Sequence, residues 1–136
     1  MIYDPALPVY VVDTHALLWY RREASRLSPA ANAVFRLAAV GEARIIVPAI
    51  VVAELFYLTQ KLGNPILPST LLADIARSRE FLFSELGQAQ LERMETIVGV
   101  SEMHDRLIVA EALVHSAPII TRDAALRRSG AVDVIW

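Results

Sequence analysis

Val9-Tyr10-Val11-Val12-Asp13 is a run of four strand-forming residues closed by a carboxylate. β-Branched and aromatic side chains fit a pleated, buried surface, so the run predicts a short strand ending at an acid. The stretches around it change character. Ala16 to Arg22 reads as a helix. Ser28-Pro29 reads as a helix start, with Ser as N-cap and Pro in the first turn, running to about Val40 before Gly41. Ile45-Ile46-Val47 is a second apolar run, closed by Pro48, and a helix follows it through Leu62.

The alternation continues to the other end. Ser69 is expected to cap a helix to about Arg79, and Phe81-Leu82-Phe83 reads as a third strand. Gln88 to about Ile97 and His104 to Ser116 read as helices. Ile119-Ile120 is a fourth strand, Asp123 to Ser129 a short helix, and Val132 to Ile135 a last strand. Short, wholly apolar strands separated by helices predict a parallel sheet covered on both faces, a three-layer α/β/α arrangement. Such sheets bind ligands beyond the carboxyl ends of their strands, where the strand order reverses.

Bulk properties limit the functions open to this fold. At 136 residues the length predicts one domain over residues 1–136. The chain is 55% hydrophobic and 21% charged, the composition of a globular protein. It has no cysteine, which excludes disulfides and thiolate metal sites and fits a reducing cytoplasm. Met1 to Val12 carries Asp4 and two prolines and lacks the basic start of a signal peptide, and no apolar run has the length of a membrane helix. A net charge of −2 gives no general attraction to nucleic acid. The cations are nonetheless arginines apart from Lys61, and arginine forks suit phosphate oxygens, although base composition of the gene also favours arginine.

Four acids fall where a site is expected. Asp13 ends the first strand, and Asp123 follows the fourth with Thr121 between. Glu54 lies early in the helix after the second strand, and Asp105 opens the helix before the fourth. The residues one turn from Glu54 are apolar or aromatic (Ile50, Val51, Tyr57 and Leu58), so no cation one turn away neutralises it. A hard divalent cation such as Mg²⁺ or Mn²⁺ would neutralise such a group, and around phosphate it polarises the phosphoryl oxygen and acidifies bound water. Each aspartate alone reads equally well as a helix N-terminal acid held by the dipole. The four together point to phosphodiester hydrolysis.

The same residues carry a family resemblance. Tyr10-Val11-Val12-Asp13-Thr14-His15-Ala16-Leu17-Leu18-Trp19 resembles the opening of PIN-domain proteins, in particular VapC-type toxins of bacterial toxin–antitoxin pairs. Val51-Val52-Ala53-Glu54-Leu55, His104-Asp105-Arg106-Leu107-Ile108-Val109-Ala110-Glu111-Ala112 and Ile119-Ile120-Thr121-Arg122-Asp123 resemble the later motifs in order. The resemblance implies a PIN-like fold and a Mg²⁺- or Mn²⁺-dependent endoribonuclease. It implies Asp13, Glu54, Asp105 and Asp123 as the acidic quartet, with Thr121 as a hydroxyl in the same pocket. It also implies a homodimer and a small cognate antitoxin that blocks the site. The stretch before the third acid departs from the pattern: Val100-Ser101-Glu102-Met103-His104 stands where related proteins often have His-Arg-Asp-Pro-Phe.

Other residues carry weaker signals. His15, Arg106 and Arg122 adjoin the acids and are candidate phosphate contacts, or they balance local charge. His104 is a candidate neighbour of the site, His115 a surface residue, and the three histidines are too dispersed for a zinc site. Glu111, six residues past Asp105, points off its face of the helix. Trp19, Tyr20, Phe56 and Tyr57 fit a core or dimer contact better than base stacking. A haloacid-dehalogenase phosphotransferase wants an acid at the position of His15, and a phospho-receiver wants a lysine after its last strand; neither condition is met. The remaining rival is a catalytically inactive PIN-like module that binds RNA or protein.

Overall fold

The computed structural model describes residues 6–136, so the reading of the N-terminus rests partly on residues outside those described. Five strands form one sheet in the order β3-β2-β1-β4-β5, all parallel. They are β1 (Val9–Val12), β2 (Arg44–Pro48), β3 (Phe81–Ser84), β4 (Ile119–Ile120) and β5 (Val134–Ile135). The helices are α1 (Thr14–Arg22), α2 (Pro29–Ala39), α3 (Ala49–Lys61), α4 (Pro68–Arg77), α5 (Gln88–Met94), α6 (Met103–His115) and α7 (Ala124–Ser129).

The chain runs from β1 outward through β2 to β3, then returns past β1 to β4 and β5. Right-handed crossovers therefore place α1 to α4 on one face and α5 to α7 on the other, the three layers expected. The strand order reverses between β1 and β4. Their register pairs Val11 with Ile119 and Val12 with Ile120, so Asp13 emerges beside Thr121. The Asp13 N–H donates to the Ile120 carbonyl at 3.2 Å.

The strands are apolar because both their faces are covered. Val11, Val12, Ile45, Val47, Ile119 and Ile120 are fully buried in one core. α3 turns Val51, Val52, Leu55 and Thr59 to that core. Burying each large aliphatic side chain contributes about 1.5–3 kcal/mol, which holds Glu54 in place through its neighbours. The buried Thr59 hydroxyl donates to the Leu55 carbonyl at 2.6 Å and accepts from the Ile66 N–H at 2.7 Å, tying α3 to the segment after it.

Several boundaries differ from expectation. α4 begins at Pro68 and ends at Arg77, because a proline takes the first helical position and Ser69 lies inside the helix. α5 stops at Met94; the Thr96 hydroxyl bonds the Arg93 carbonyl at 2.7 Å and ends the turn. β5 is two residues long, its ladder matching only β4. Tyr57 is 65% exposed and so is no part of the core, whereas Tyr20 stacks on Phe35 with ring centroids 4.2 Å apart. Among the described residues no helix is long and apolar enough to cross a membrane.

Candidate active site

Asp13 and Asp123 are set by the ends of neighbouring strands and by the helices they start. Asp13 has extended backbone (φ −86°, ψ 174°), and its Oδ1 accepts the Ala16 N–H at 2.8 Å, capping α1. Asp123 caps α7, its Oδ1 accepting from the Ala125 N–H at 2.7 Å and the Leu126 N–H at 3.2 Å. Between the two acids lies Thr121, fully buried. Its oxygen accepts the Asp123 N–H at 3.0 Å, and its side chain hydrogen-bonds Asp13. One hydroxyl thus fixes two strand-end acids. Burial pushes the Asp13 carboxyl above its ordinary range and nearby Asp123 adds to this, while the bonds from Thr121 and Ala16 and the charge of His15 pull it back.

Glu54 and Asp105 come from helices. The Thr14 hydroxyl donates to Glu54 Oε1 at 2.7 Å across the α1–α3 contact. Glu54 Oε2 stands 4.0 Å from His104 Nδ1. Glu54 is only half-buried, and Thr14 and His104 reach it from other helices, so the lack of a cation within one turn on α3 leaves it less isolated than expected. Glu102 caps α6, with Oε2 accepting the Asp105 N–H at 2.7 Å and Oε1 lying 2.6 Å from His104 Nδ1. That bond to Glu102 raises the His104 pKa, with Glu54 and Asp105 adding to it. The Asp105 carboxyl is pushed up to about 6, first by burial and then by the charges of Asp123, Glu102, Glu54 and Asp13. Asp105 therefore feels every other member of the quartet.

All four acids line one open cleft of about 750 Å³, with Thr14, His15, Trp19, Arg26 and Arg122 among its other walls. Thr121 lies buried beneath it. Arg106 is placed elsewhere: its guanidinium donates to the carbonyls of Met94 and Val100, holding the turn between α5 and α6. Glu111 is buried away from the cleft and bonds His115 Nε2 at 2.8 Å. Among the described residues no three His, Asp or Glu side chains are gathered tightly enough to hold one ion. The donor set itself, four carboxylates with no ion pair to Lys or Arg among the described residues, is that of a hard divalent cation.

Sequence reasoning missed Thr14, Glu102 and Arg26. Thr14 directly follows Asp13 but touches an acid forty positions away, which nothing local reveals. Glu102 was legible, since an acid three residues before Asp105 fits an N-cap.

Comparison with known proteins places this geometry. No protein of curated function matches the sequence. Among solved structures, VapBC2 from Rickettsia felis bound to a promoter DNA fragment aligns with a TM-score of 0.67 at 16% identity, covering 93% of this chain and 96% of that one. DNA-bound VapBC from Salmonella typhimurium aligns with a TM-score of 0.67 at 13% identity, covering 94% and 97%. FitAcB from Neisseria gonorrhoeae gives 0.63 at 20% identity, covering 92% and 95%. At these identities the likeness is one of fold. The model of the PIN domain matches residues 10–131, from the strand before Asp13 to beyond α7, and the chain belongs to the PIN domain family.

Proposed function

We propose that the protein is a metal-dependent endoribonuclease, the toxin component of a toxin–antitoxin pair, that hydrolyses RNA phosphodiester bonds at the four-carboxylate cleft. The observation that carries this reading is the convergence of Asp13, Glu54, Asp105 and Asp123 on one cleft at the strand-order reversal. Asp13, Asp105 and Asp123 would hold Mg²⁺ or Mn²⁺, with Glu54 joining directly or through water. When bound, the ion neutralises the acids, polarises a phosphoryl oxygen and acidifies water. Thr121 fixes Asp13 and the Asp123 backbone, and Thr14 fixes Glu54. Arg122 and His15 on the cleft wall receive phosphate. The antitoxin assignment is supported by a structural neighbour that is a toxin–antitoxin complex from Klebsiella pneumoniae, and a homodimer is proposed with it.

The loose spacing of the acids favours the rival reading, a PIN-like module that binds RNA or protein without cutting. Incubation with total RNA and Mn²⁺, with and without EDTA, separates the two. The nuclease reading expects cleavage that EDTA stops and that Asp13→Asn lowers at least about a hundredfold. Asparagine also caps helices, so that variant keeps its fold. Near wild-type cleavage by Asp13→Asn in metal-controlled buffer would overturn the assignment.

A further inference from the structure

We infer that Trp19 is a platform holding Arg26 and Arg122 as a phosphate-binding rail along one wall of the cleft, and that the rail takes the backbone of single-stranded RNA. The inference rests on the ribonuclease reading and goes further by naming how the substrate is gripped.

Two guanidinium groups lie over the same indole. Arg26 Cζ is 4.5 Å and Arg122 Cζ 5.8 Å from the Trp19 ring centroid, both within cation–π range. The His15 and Trp136 rings pack against that indole at tilted angles, each with centroids 5.7 Å away. Trp19 is only 7% exposed, so its ring is covered and unavailable to bases. Its role falls instead on the arginines it carries. A guanidinium held over a ring face by its charge leaves N–H donors for other partners, and those donors match phosphate oxygens.

The position of the pair matters as much as its geometry. Both arginines line a cleft that also contains the acidic quartet, yet neither is ion-paired to a member of it. Arg122 directly precedes Asp123 in sequence and still lies over Trp19. Arg26 has one acidic neighbour, Glu23, at 3.6 Å on a well-exposed surface. Both cations thus stand at the indole beside the quartet without an ion pair to any of its four acids, Arg26 pairing with Glu23 alone. A site with four carboxylates needs such cations to accept a polyanion, because the acids alone repel it. The net charge of −2 supplies no general attraction in their place.

The test is binding of a mixed-sequence single-stranded RNA oligonucleotide in EDTA, where cleavage is off. Polarisation gives affinity across a salt series, and Trp136→Phe leaves Trp19 as the sole fluorescent indole. Arg26→Ala and Arg122→Ala are each expected to weaken binding about fivefold and to reduce the slope of log affinity against log salt by about 0.7. Arg122→Lys should restore the slope but not the full affinity, because the ammonium lacks the guanidinium's paired donors for phosphate. Glu23→Gln should tighten binding, an effect that damage to the fold cannot mimic. Oligonucleotide binding should change Trp19 fluorescence. Unchanged affinity and slope in both arginine variants would overturn the rail, as would equal binding of polyglutamate or no wild-type binding to the oligonucleotide. RNA bound through both arginines but never cut with Mn²⁺ would sink the nuclease reading alone.

Discussion

The finest control in this site is exerted by two threonine hydroxyls. Thr14 is 7% exposed and spends its hydroxyl on Glu54, while Thr121 links Asp13 to the Asp123 backbone. Thr14→Val keeps the volume and removes the donor. Glu54 then loses its fixed orientation, and on the proposed nuclease reading cleavage is expected to fall about tenfold, the effect of losing the supporting partner of a proposed metal ligand. The melting temperature should move by only a few degrees, since one part-exposed hydrogen bond is worth about 1 kcal/mol. Kinetics beside a thermal melt check this, and an unchanged rate would show that Glu54 needs no support. Asp105 gives the pH prediction. Its folded pKa of about 6 lies above the ordinary value of 3.8, so the carboxyl favours folding most when protonated. That contribution is full below about pH 4 and lost as pH rises through 6. Asp105→Asn should therefore raise the metal-free melting temperature at pH 7 by about 2–4 °C, after discounting for its partial exposure, and flatten the profile between pH 4 and 7. A variant that melts lower at pH 7 would contradict the repulsion.

At the scale of elements, strands and helices divide the work. β1 and β4 place two acids side by side because Val12 and Ile120 are in register. α3 and α6 bring the other two from opposite layers. Arg106 belongs to this scale, although its place beside Asp105 in sequence suggested phosphate binding. One residue along a helix turns a side chain by about 100°, so neighbours in sequence face different surroundings. Arg106→Ala strands two carbonyls and should destabilise the protein by about 1–3 kcal/mol, read as a lower urea midpoint. The KM for RNA should stay within about twofold for the folded fraction. A rise in KM without loss of stability would return Arg106 to the substrate.

At the scale of the molecule, the metal-free cleft stores like charge that only the fold brings together. Binding to the native state alone stabilises it, so Mn²⁺ at a hundred times its dissociation constant should add about 2.7 kcal/mol. For a chain of 136 residues that is roughly 5–10 °C in a melt. The gain should disappear in Asp13→Asn and shrink in Glu54→Gln. The same small shift with Mn²⁺ in every variant would mean that the ion binds outside the quartet.

Much of this protein was legible in its sequence because the signals were local. The β-branched run before Asp13, Ser28-Pro29 and the apolar pair Ile119-Ile120 each follow from short-range preferences, and together they determined a parallel α/β sheet. That Asp13 and Asp123 would meet at one edge was legible as well, since strand ends in such a sheet share an edge, whereas Glu54 and Asp105 reach the cleft from helices. Distance and side-chain direction were not. The bond from Thr14 to Glu54, the seating of Arg26 and Arg122 on Trp19, and the removal of Arg106 from the cleft depend on contacts between distant segments. No periodicity encodes these, because they arise only when the chain is packed and each polar group takes the partner then within reach.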